Sequence, residues 1–279
     1  MWCDAHIHLT ESTFPNFTEE YFCVSSCHSS QEFESLGRST SLRLLSCVPG
    51  FADAHSSVRQ GSLQNSGLPY TTAFTSFGIH PQMKAAGLYS QNIKSTLQEL
   101  VENKKIIAIG ECGFDFFTPE FKATEQWQTE VFEFQLELAL KYRLPLVLHL
   151  RKSVHKVFEY KKQLSKVPSV IFHSFPGTVA EAVSILNNKI NAYFSFGKPI
   201  LNGKKSAIDC TKNLPLERIL LETDAPYQTL KDEKTTPPED IIKVYQKCAS
   251  LRSMSIEELK KQISENFFKA YNITFIASS

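Results

Sequence analysis

Five short apolar runs, spread over most of the chain, each deliver a side chain able to bind a metal ion. They read Trp-Cys-Asp-Ala-His-Ile-His at 2–8, Ile-Ile-Ala-Ile-Gly-Glu at 106–111, Pro-Leu-Val-Leu-His at 145–149, Ser-Val-Ile-Phe-His at 169–173 and Arg-Ile-Leu-Leu-Glu-Thr-Asp at 218–224. Runs this short and continuous read as strands buried on both faces. A parallel barrel gathers the C-terminal ends of its strands on one face, where its catalytic groups sit. The pattern predicts an α/β fold, a (β/α)8 TIM barrel, with metal-dependent chemistry at its mouth.

The intervening segments agree with strands separated by helices. Residues 91–103 place Ile93, Leu97, Leu100 and Val101 on one helical face, and 120–143 carry Trp127, Val131, Phe134 and Leu138 at helical spacing. Thr178 with Glu181, and Ser255 with Glu258, form capping-box patterns; the second opens a helix with Leu259, Ile263 and Phe267 inward. Strands are expected at about 2–8, 21–26, 73–79, 106–110, 145–150, 169–173, 191–196 and 218–223. Residues 42–48 offer a ninth candidate for eight places, so this run or 21–26 lies outside the barrel. Residues 1–279 read as a single domain with a frayed tail at about 276–279. Barrels of roughly 250 residues are ordinary single domains.

Lys+Arg 30 against Asp+Glu 29 is too balanced for a protein that coats nucleic acid by charge alone. A locally basic mouth remains compatible with it. Seven cysteines are an odd number for a complete disulfide framework, and Cys23 and Cys27 read as buried or free thiols. Acid and histidine at positions 4, 6 and 8 are no signal peptide, and no run of about 18 apolar residues is present. The expectation is a cytoplasmic protein with no membrane association and no obligate protein partner.

Each metal-capable residue has a bland reading when taken alone. His6 and His8 point to one face of a strand and would chelate a single ion, yet such pairs are usually ordinary polar positions. Glu111 could be a loop carboxylate, and His149 and His173 satisfied core histidines. Glu222 and Asp224 share a side, where two carboxylates repel unless cations lie nearby. Together the five strand ends favour metal. His6 and His8 with two carboxylates make one site, and His149 and His173 sharing a carboxylate make another, with Glu111 as the bridge. Two ions about 3.5–4 Å apart activate a water and stabilise a leaving oxygen. Imidazole and carboxylate ligands leave Mg2+, Mn2+ and Zn2+ open.

At this point the chain resembles a known family. Asp-Ala-His-Ile-His-Leu at 4–9, Gly-Ile-His-Pro at 78–81, Ile-Gly-Glu-Cys-Gly-Phe-Asp at 109–115, His-Leu-Arg at 149–151, His-Ser-Phe-Pro-Gly at 173–177 and Glu-Thr-Asp-Ala-Pro-Tyr at 222–227 are similar to the TatD family of metal-dependent hydrolases and deoxyribonucleases. The resemblance implies a TIM barrel of the metallo-dependent hydrolase (amidohydrolase) type that hydrolyses phosphodiester bonds, typically in DNA. It assigns two divalent ions: His6, His8, Glu111 and Asp224 to the first, and Glu111, His149 and His173 to the second. Asp224 would also take the proton from the attacking water. His80 and Arg151 would contact the phosphate, and Glu222 would orient a ligand histidine from behind or, as the second choice, hold a further ion.

Three positions depart from the family pattern. Gln82 replaces a histidine, Pro176 replaces a small residue, and 231–240 lacks the familiar Asn-Glu-Pro. All lie in the region that recognises substrate. His28, His55 and His155 match no motif and read as surface or helix residues, while Asp115 could cap the loop behind Glu111 or reach the site, with the structural cap favoured. Lys104 and Lys105 precede their strand at its wrong end to bridge metals. The expected activity is hydrolysis of DNA from the 3′ end. The alternatives are a hydrolase of a small ester, lactone or amide, and a metal-stabilised binding protein without turnover.

Overall fold

The computed structural model describes residues 1–9, 15, 17–38, 42–44, 58–59 and 71–276. Eight parallel strands follow one another in chain order: β1 (Trp2–Ile7), β2 (Tyr21–Cys27), β3 (Thr71–Phe77), β4 (Ala108–Asp115), β5 (Leu146–Arg151), β6 (Val170–Phe172), β7 (Ala192–Phe196) and β8 (Ile219–Leu221). Helices stand between them: α1 (Ser30–Arg38), α2 (Ile93–Glu102), α3 (Glu125–Tyr142), α4 (Val179–Asn187) and α5 (Lys205–Asn213), with α6 (Ile241–Arg252) and α7 (Ile256–Ala270) following β8. This is the (β/α)8 architecture that the alternation predicts. Strands β1 to β4 are buried along their whole length, on both faces, as strands of a parallel barrel are.

The helices follow the expected periodicity. Both capping boxes form, at Thr178 with Glu181 and at Ser255 with Glu258. Leu259, Ile263 and Phe267 of α7 are fully buried. In α3 the apolar stripe carries two buried glutamines that the periodicity hides. Gln128 grips the backbone N–H and C=O of Asp115 at 2.8 and 3.0 Å, and Gln135 does the same for Ile79 at 2.7 and 3.2 Å. Each amide imitates a strand partner just where β3 and β4 end, so the helix fixes the loops that carry the site.

The ninth strand candidate also finds a place. Residues 42–44 pair with Thr71–Ala73, whereas β4 pairs with Ser76 and Phe77 of the same edge. The extra strand therefore fills the lower half of the β3 edge that β4 leaves open. The remainder of 45–70 apart from 58–59, with Cys47 and His55, lies outside the described residues, as do 277–279 of the expected frayed tail. Ile276 belongs to a two-residue strand beside 58–59. The cysteines of the described residues are all buried free thiols, as read for Cys23 and Cys27. Among the described residues no helix is long and apolar enough to cross a membrane.

Closure between β1 and the short β8 combines side-chain clasps with a few backbone bonds near the mouth. Asp4 accepts hydrogen bonds from Tyr21 on β2 and from the backbone and hydroxyl of Thr223, at 2.9, 3.0 and 2.6 Å. Nearer the mouth, Asp224 N–H donates to the His6 carbonyl at 3.0 Å and His8 N–H to the Ala225 carbonyl at 2.7 Å. At the other end the Tyr245 hydroxyl of α6 accepts from Cys3 N–H and donates to Cys3 C=O, at 3.1 and 3.0 Å. Tyr245 thus satisfies backbone groups that a longer β8 would have paired. Tyr245→Phe should cost about 1–3 kcal/mol by stranding buried backbone groups, read as a melting midpoint lowered by a few degrees. An unchanged midpoint would show that the seam closes without this hydroxyl.

A buried ion cluster ties the loop after β8 to the end of β7. Lys198, fully buried, pairs with Glu233 and, at 2.6 Å, with Asp240. Lys243 reaches the other Asp240 oxygen at 2.6 Å. Burial raises the Asp240 carboxyl, but the hydrogen bonds from Lys198 and Lys243 outweigh it and hold the group below its ordinary 3.8. A depressed carboxyl stabilises the fold fully above its unfolded value and loses that contribution as pH falls through the folded value. Lys198→Met should therefore destabilise by about 3 kcal/mol near neutrality. The gap to the parent, measured by urea unfolding, should narrow as pH falls below about 4. A gap independent of pH would mean that the cluster contributes no charge energy.

Candidate functional site

The site assembles at the C-terminal ends of the strands around Glu111. Gly110 and Gly113, at φ 131° and 132°, flank it on β4. A Cβ at Gly110 would meet the Val147 carbonyl at 2.3 Å, and one at Gly113 the His149 carbonyl at the same distance. Only glycine lets β4 press this closely against β5. The β4–β5 register shifts between Ile109 and Cys112, and such an irregularity re-aims side chains beside a site. Glu111 thus lies inside β4 rather than after it, and its backbone N–H bonds Ser26 Oγ at 3.3 Å.

Six imidazoles surround this one carboxylate. The nearest nitrogens of His6, His8, His28, His80, His149 and His173 lie 3.3, 3.8, 3.8, 3.5, 2.6 and 3.6 Å from a Glu111 oxygen. Asp224 closes the group from the segment just after β8, 3.6 Å from His6, 3.5 Å from His8 and 3.7 Å from His173. Its backbone sits in the left-handed region at φ 58°, which aspartate tolerates better than most residues. The structure therefore brings together His6, His8, Glu111, His149, His173 and Asp224 from five strand ends, with His80 beside them.

The spacing suits a cation. His6 and His8 nitrogens lie 3.2 Å apart, and each lies 3.3 to 3.8 Å from an oxygen of Glu111 and from one of Asp224. The edges of a tetrahedron built on bonds of about 2.0–2.1 Å are about 3.3 Å. Three overlapping groups have ligand atoms within 4.8 Å of one another: His6, His173 and Asp224; His6, His8 and Glu111; His80, Glu111 and His149. The donor set fits divalent metal.

Two buried acids hold the rings from behind. Glu222, on the same side as Asp224, accepts from His173 Nδ1 at 3.0 Å and from Ser174 N–H at 2.9 Å, which turns His173 Nε2 into the pocket. Asp115 faces His149 Nε2 at 3.1 Å, and Gln82 donates to the same Asp115 oxygen at 2.7 Å. Asp115, read from sequence as a cap, does cap the Phe117 N–H at 2.8 Å but also reaches the site. Gln82 explains its own departure from the family pattern by bonding this acid.

His28 overturns its expected surface place. It stands at the end of β2, with a side chain 16% exposed, inside the ring of imidazoles. Its Nδ1 lies 2.9 Å from the Gly78 carbonyl, which only accepts, so Nδ1 carries the proton and Nε2 turns a bare lone pair toward Glu111. His80 is the opposite tautomer: Gln82 N–H donates to its Nδ1 at 3.2 Å, which leaves Nε2–H as a donor into the pocket. Nothing in the pattern of β2 signals His28, because Val-Ser-Ser-Cys-His does not end a continuous apolar run. His155 lies in an exposed helical turn, as expected.

Electrostatics divide the rings. Burial favours protonated Glu111, but the charges of His173, His80, His149 and His6 outweigh it and hold the carboxyl well below its usual range. Burial, and then His173, lower His6; burial and His80 lower His28 to about 3. Burial also opposes charge on His149 and His173, yet Glu111 carries the first to about 9 and Glu222, with Glu111, the second to about 10. Arg151, two residues beyond His149 on β5, lies outside this cluster with its guanidinium over the Phe117 ring.

Comparison with known proteins identifies the family. A family model described as TatD related DNase matches residues 3–272. The 3′-5′ ssDNA/RNA exonuclease TatD of Pantoea ananatis is 31% identical over 207 residues, covering 70% of this chain and 76% of that protein. The uncharacterized metal-dependent hydrolase YabD of Bacillus subtilis is 30% identical over 209 residues, with 73% and 79% covered. The crystal structure of the TatD homologue YJJV from Escherichia coli matches with a TM-score of 0.73 at 22% identity over 98% of both chains, a likeness in fold. With strands, strand ends and sequence in agreement, the chain belongs to the TatD related DNase family of hydrolases.

Proposed function

We propose that this protein hydrolyses phosphodiester bonds of single-stranded DNA from the 3′ end, using two divalent ions. The observation that carries the reading is the convergence of six imidazoles and Asp224 on Glu111 at the barrel mouth. The relative that names single-stranded DNA and RNA supplies the substrate class. His6, His8, Glu111 and Asp224 would hold one ion, and Glu111, His149 and His173 the other. Ions held there polarise the phosphate and lower the pKa of an attacking water.

The remaining work falls to the chain's own groups. Asp224, an ionised carboxylate at the edge of the cluster, takes the proton from the attacking water. His80 offers its Nε2–H, and Arg151 its planar fork, to phosphate oxygens. Glu222 and Asp115 fix the rings of His173 and His149, so that neither turns away during the reaction. His28 presents an acceptor to the same pocket and adds a ligand beside Glu111.

With Mg2+ or Mn2+, the protein should shorten a 5′-labelled single strand, and Glu111→Ala should abolish this. Metal binding without cleavage of DNA, combined with turnover of small esters or lactones, would reject the nuclease reading. His28→Ala should weaken affinity for the divalent ion about tenfold without unfolding the chain, by analogy with the loss of supporting contacts in metal sites. Titrating Mn2+ against the melting midpoint reads this directly. An unchanged titration curve would remove His28 from the centre.

A further inference from the structure

A second concavity opens beside the metal pocket, on the side of β4 to β6. It encloses about 520 Å³, and Phe117, Arg151, Lys152, Gly177, Glu181 and Lys204 are among its lining residues. Small-molecule pockets commonly measure about 300–1,000 Å³. The cleft is joined to the pocket through named residues. Phe117 N–H bonds Asp115, which faces His149; Arg151 follows His149 by two on β5; and Gly177 lies four residues past His173.

Its charge is one-sided. Phe117 is 45% exposed, an unusual place for a phenyl ring. The Arg151 guanidinium lies 3.5 Å from the ring centroid and Lys152 Nζ 4.7 Å, so one ring gathers two cations at the rim. Stacking on the ring face leaves the guanidinium edge free to donate. Among the described residues no carboxylate pairs with Arg151, Lys152 or Lys204. The one acid in the wall, Glu181, accepts from Thr178 N–H and Oγ at 2.7 and 2.8 Å in the capping box of α4. The whole chain carries a net charge of only +1, so this cationic rim is local.

We propose that this cleft is a subsite for single-stranded nucleic acid, holding the nucleotides next to the bond being cut. Lys152 and Lys204 take backbone phosphates, and the Phe117–Arg151 stack forms a platform on which a base rests. Grooves that bind single strands combine these same elements: a cationic track and planar groups for stacking. The proposal rests on the nuclease reading above and specifies how that site extends.

The test measures binding of a fluorescent single-stranded 10-mer (about the length that spans one such groove) to the full chain in EDTA, across a range of salt, alongside cleavage with Mn2+. A Lys152→Ala, Lys204→Ala double variant should weaken binding and flatten the dependence of log affinity on log salt by about 1.4, at roughly 0.7 per phosphate contact. Phe117→Ala should weaken binding about tenfold, within the range for loss of one stacked base. Lys261→Ala, on the exposed face of α7, serves as the charge control.

If the parent shortens DNA while both cleft variants bind and salt-titrate like the parent, the subsite is wrong and the nuclease reading stands. If the double variant loses no more affinity than the control, the cleft likewise holds no phosphates and the subsite falls alone. If the parent neither binds nor shortens single strands, both proposals fall together. Equal loss for a duplex of the same length would also overturn the base platform, since a duplex presents no unstacked base.

Discussion

One buried carboxylate organises this molecule. Glu111 is 3% exposed, and a carboxylate taken that far from water is unfavourable by several kcal/mol unless positive charge and hydrogen bonds surround it. Six imidazole rings do so, and they arrive from strands that are distant in sequence. The carboxylate can stand there only because Gly110 and Gly113 let β4 lie against the β5 carbonyls. Enlarging either glycine would separate the strands and open the distances on which the cluster relies. Packing at two positions without side chains thus sets the geometry of all the charged ones.

Precision at the mouth comes from polar clasps rather than from the apolar core. The core places strand ends to within about a residue, but side-chain orientation needs bonds with direction. Gln128 and Gln135 supply them from α3, Glu222 and Asp115 supply them to His173 and His149, and Asp4 draws β1, β2 and Thr223 together beneath the site. These groups share a property: each is buried, polar and fully engaged, so replacement by an apolar residue of equal size would leave backbone or ring atoms unpaired.

This explains what the chain's sequence discloses and what it conceals. His6, His8, Glu111, His149, His173 and Asp224 stand out because each ends an apolar run, and apolar runs mark barrel strands. The strand ends themselves are less legible: β4 continues to Asp115, and β8 stops at Leu221, because neighbouring bonds decide where pairing ceases. His28 follows Val-Ser-Ser-Cys, a run with hydroxyls in it, and nothing local separates it from a surface histidine. Gln128 and Gln135 lie seven apart on the apolar face of α3, a spacing that could have betrayed them as buried. Tyr245 and Lys198 act across long stretches of chain, the first on Cys3 and the second on Asp240. No periodicity reports such partners, because they depend on the completed barrel.

The arrangement of charge then argues for how the protein meets its substrate. The acids Glu111, Asp115, Glu222 and Asp224 are all buried at the centre, whereas Arg151, Lys152 and Lys204 are exposed around it. A phosphodiester chain approaching from solvent first meets cations, which attract it over roughly a Debye length. Further in, the carboxylates would repel its phosphates, since like charges in a region of low dielectric oppose each other strongly. The His149 and His173 imidazoliums offset only part of that charge, and rings such as His6 and His28, held neutral by burial, do not reverse its sign. Divalent ions held among the carboxylates would, so the same acids that repel a bare phosphate would become the means of drawing one in. Metal dependence is therefore a consequence of placing acids at the centre and cations at the rim, and the net charge of +1 conceals a separation on which the proposed chemistry depends.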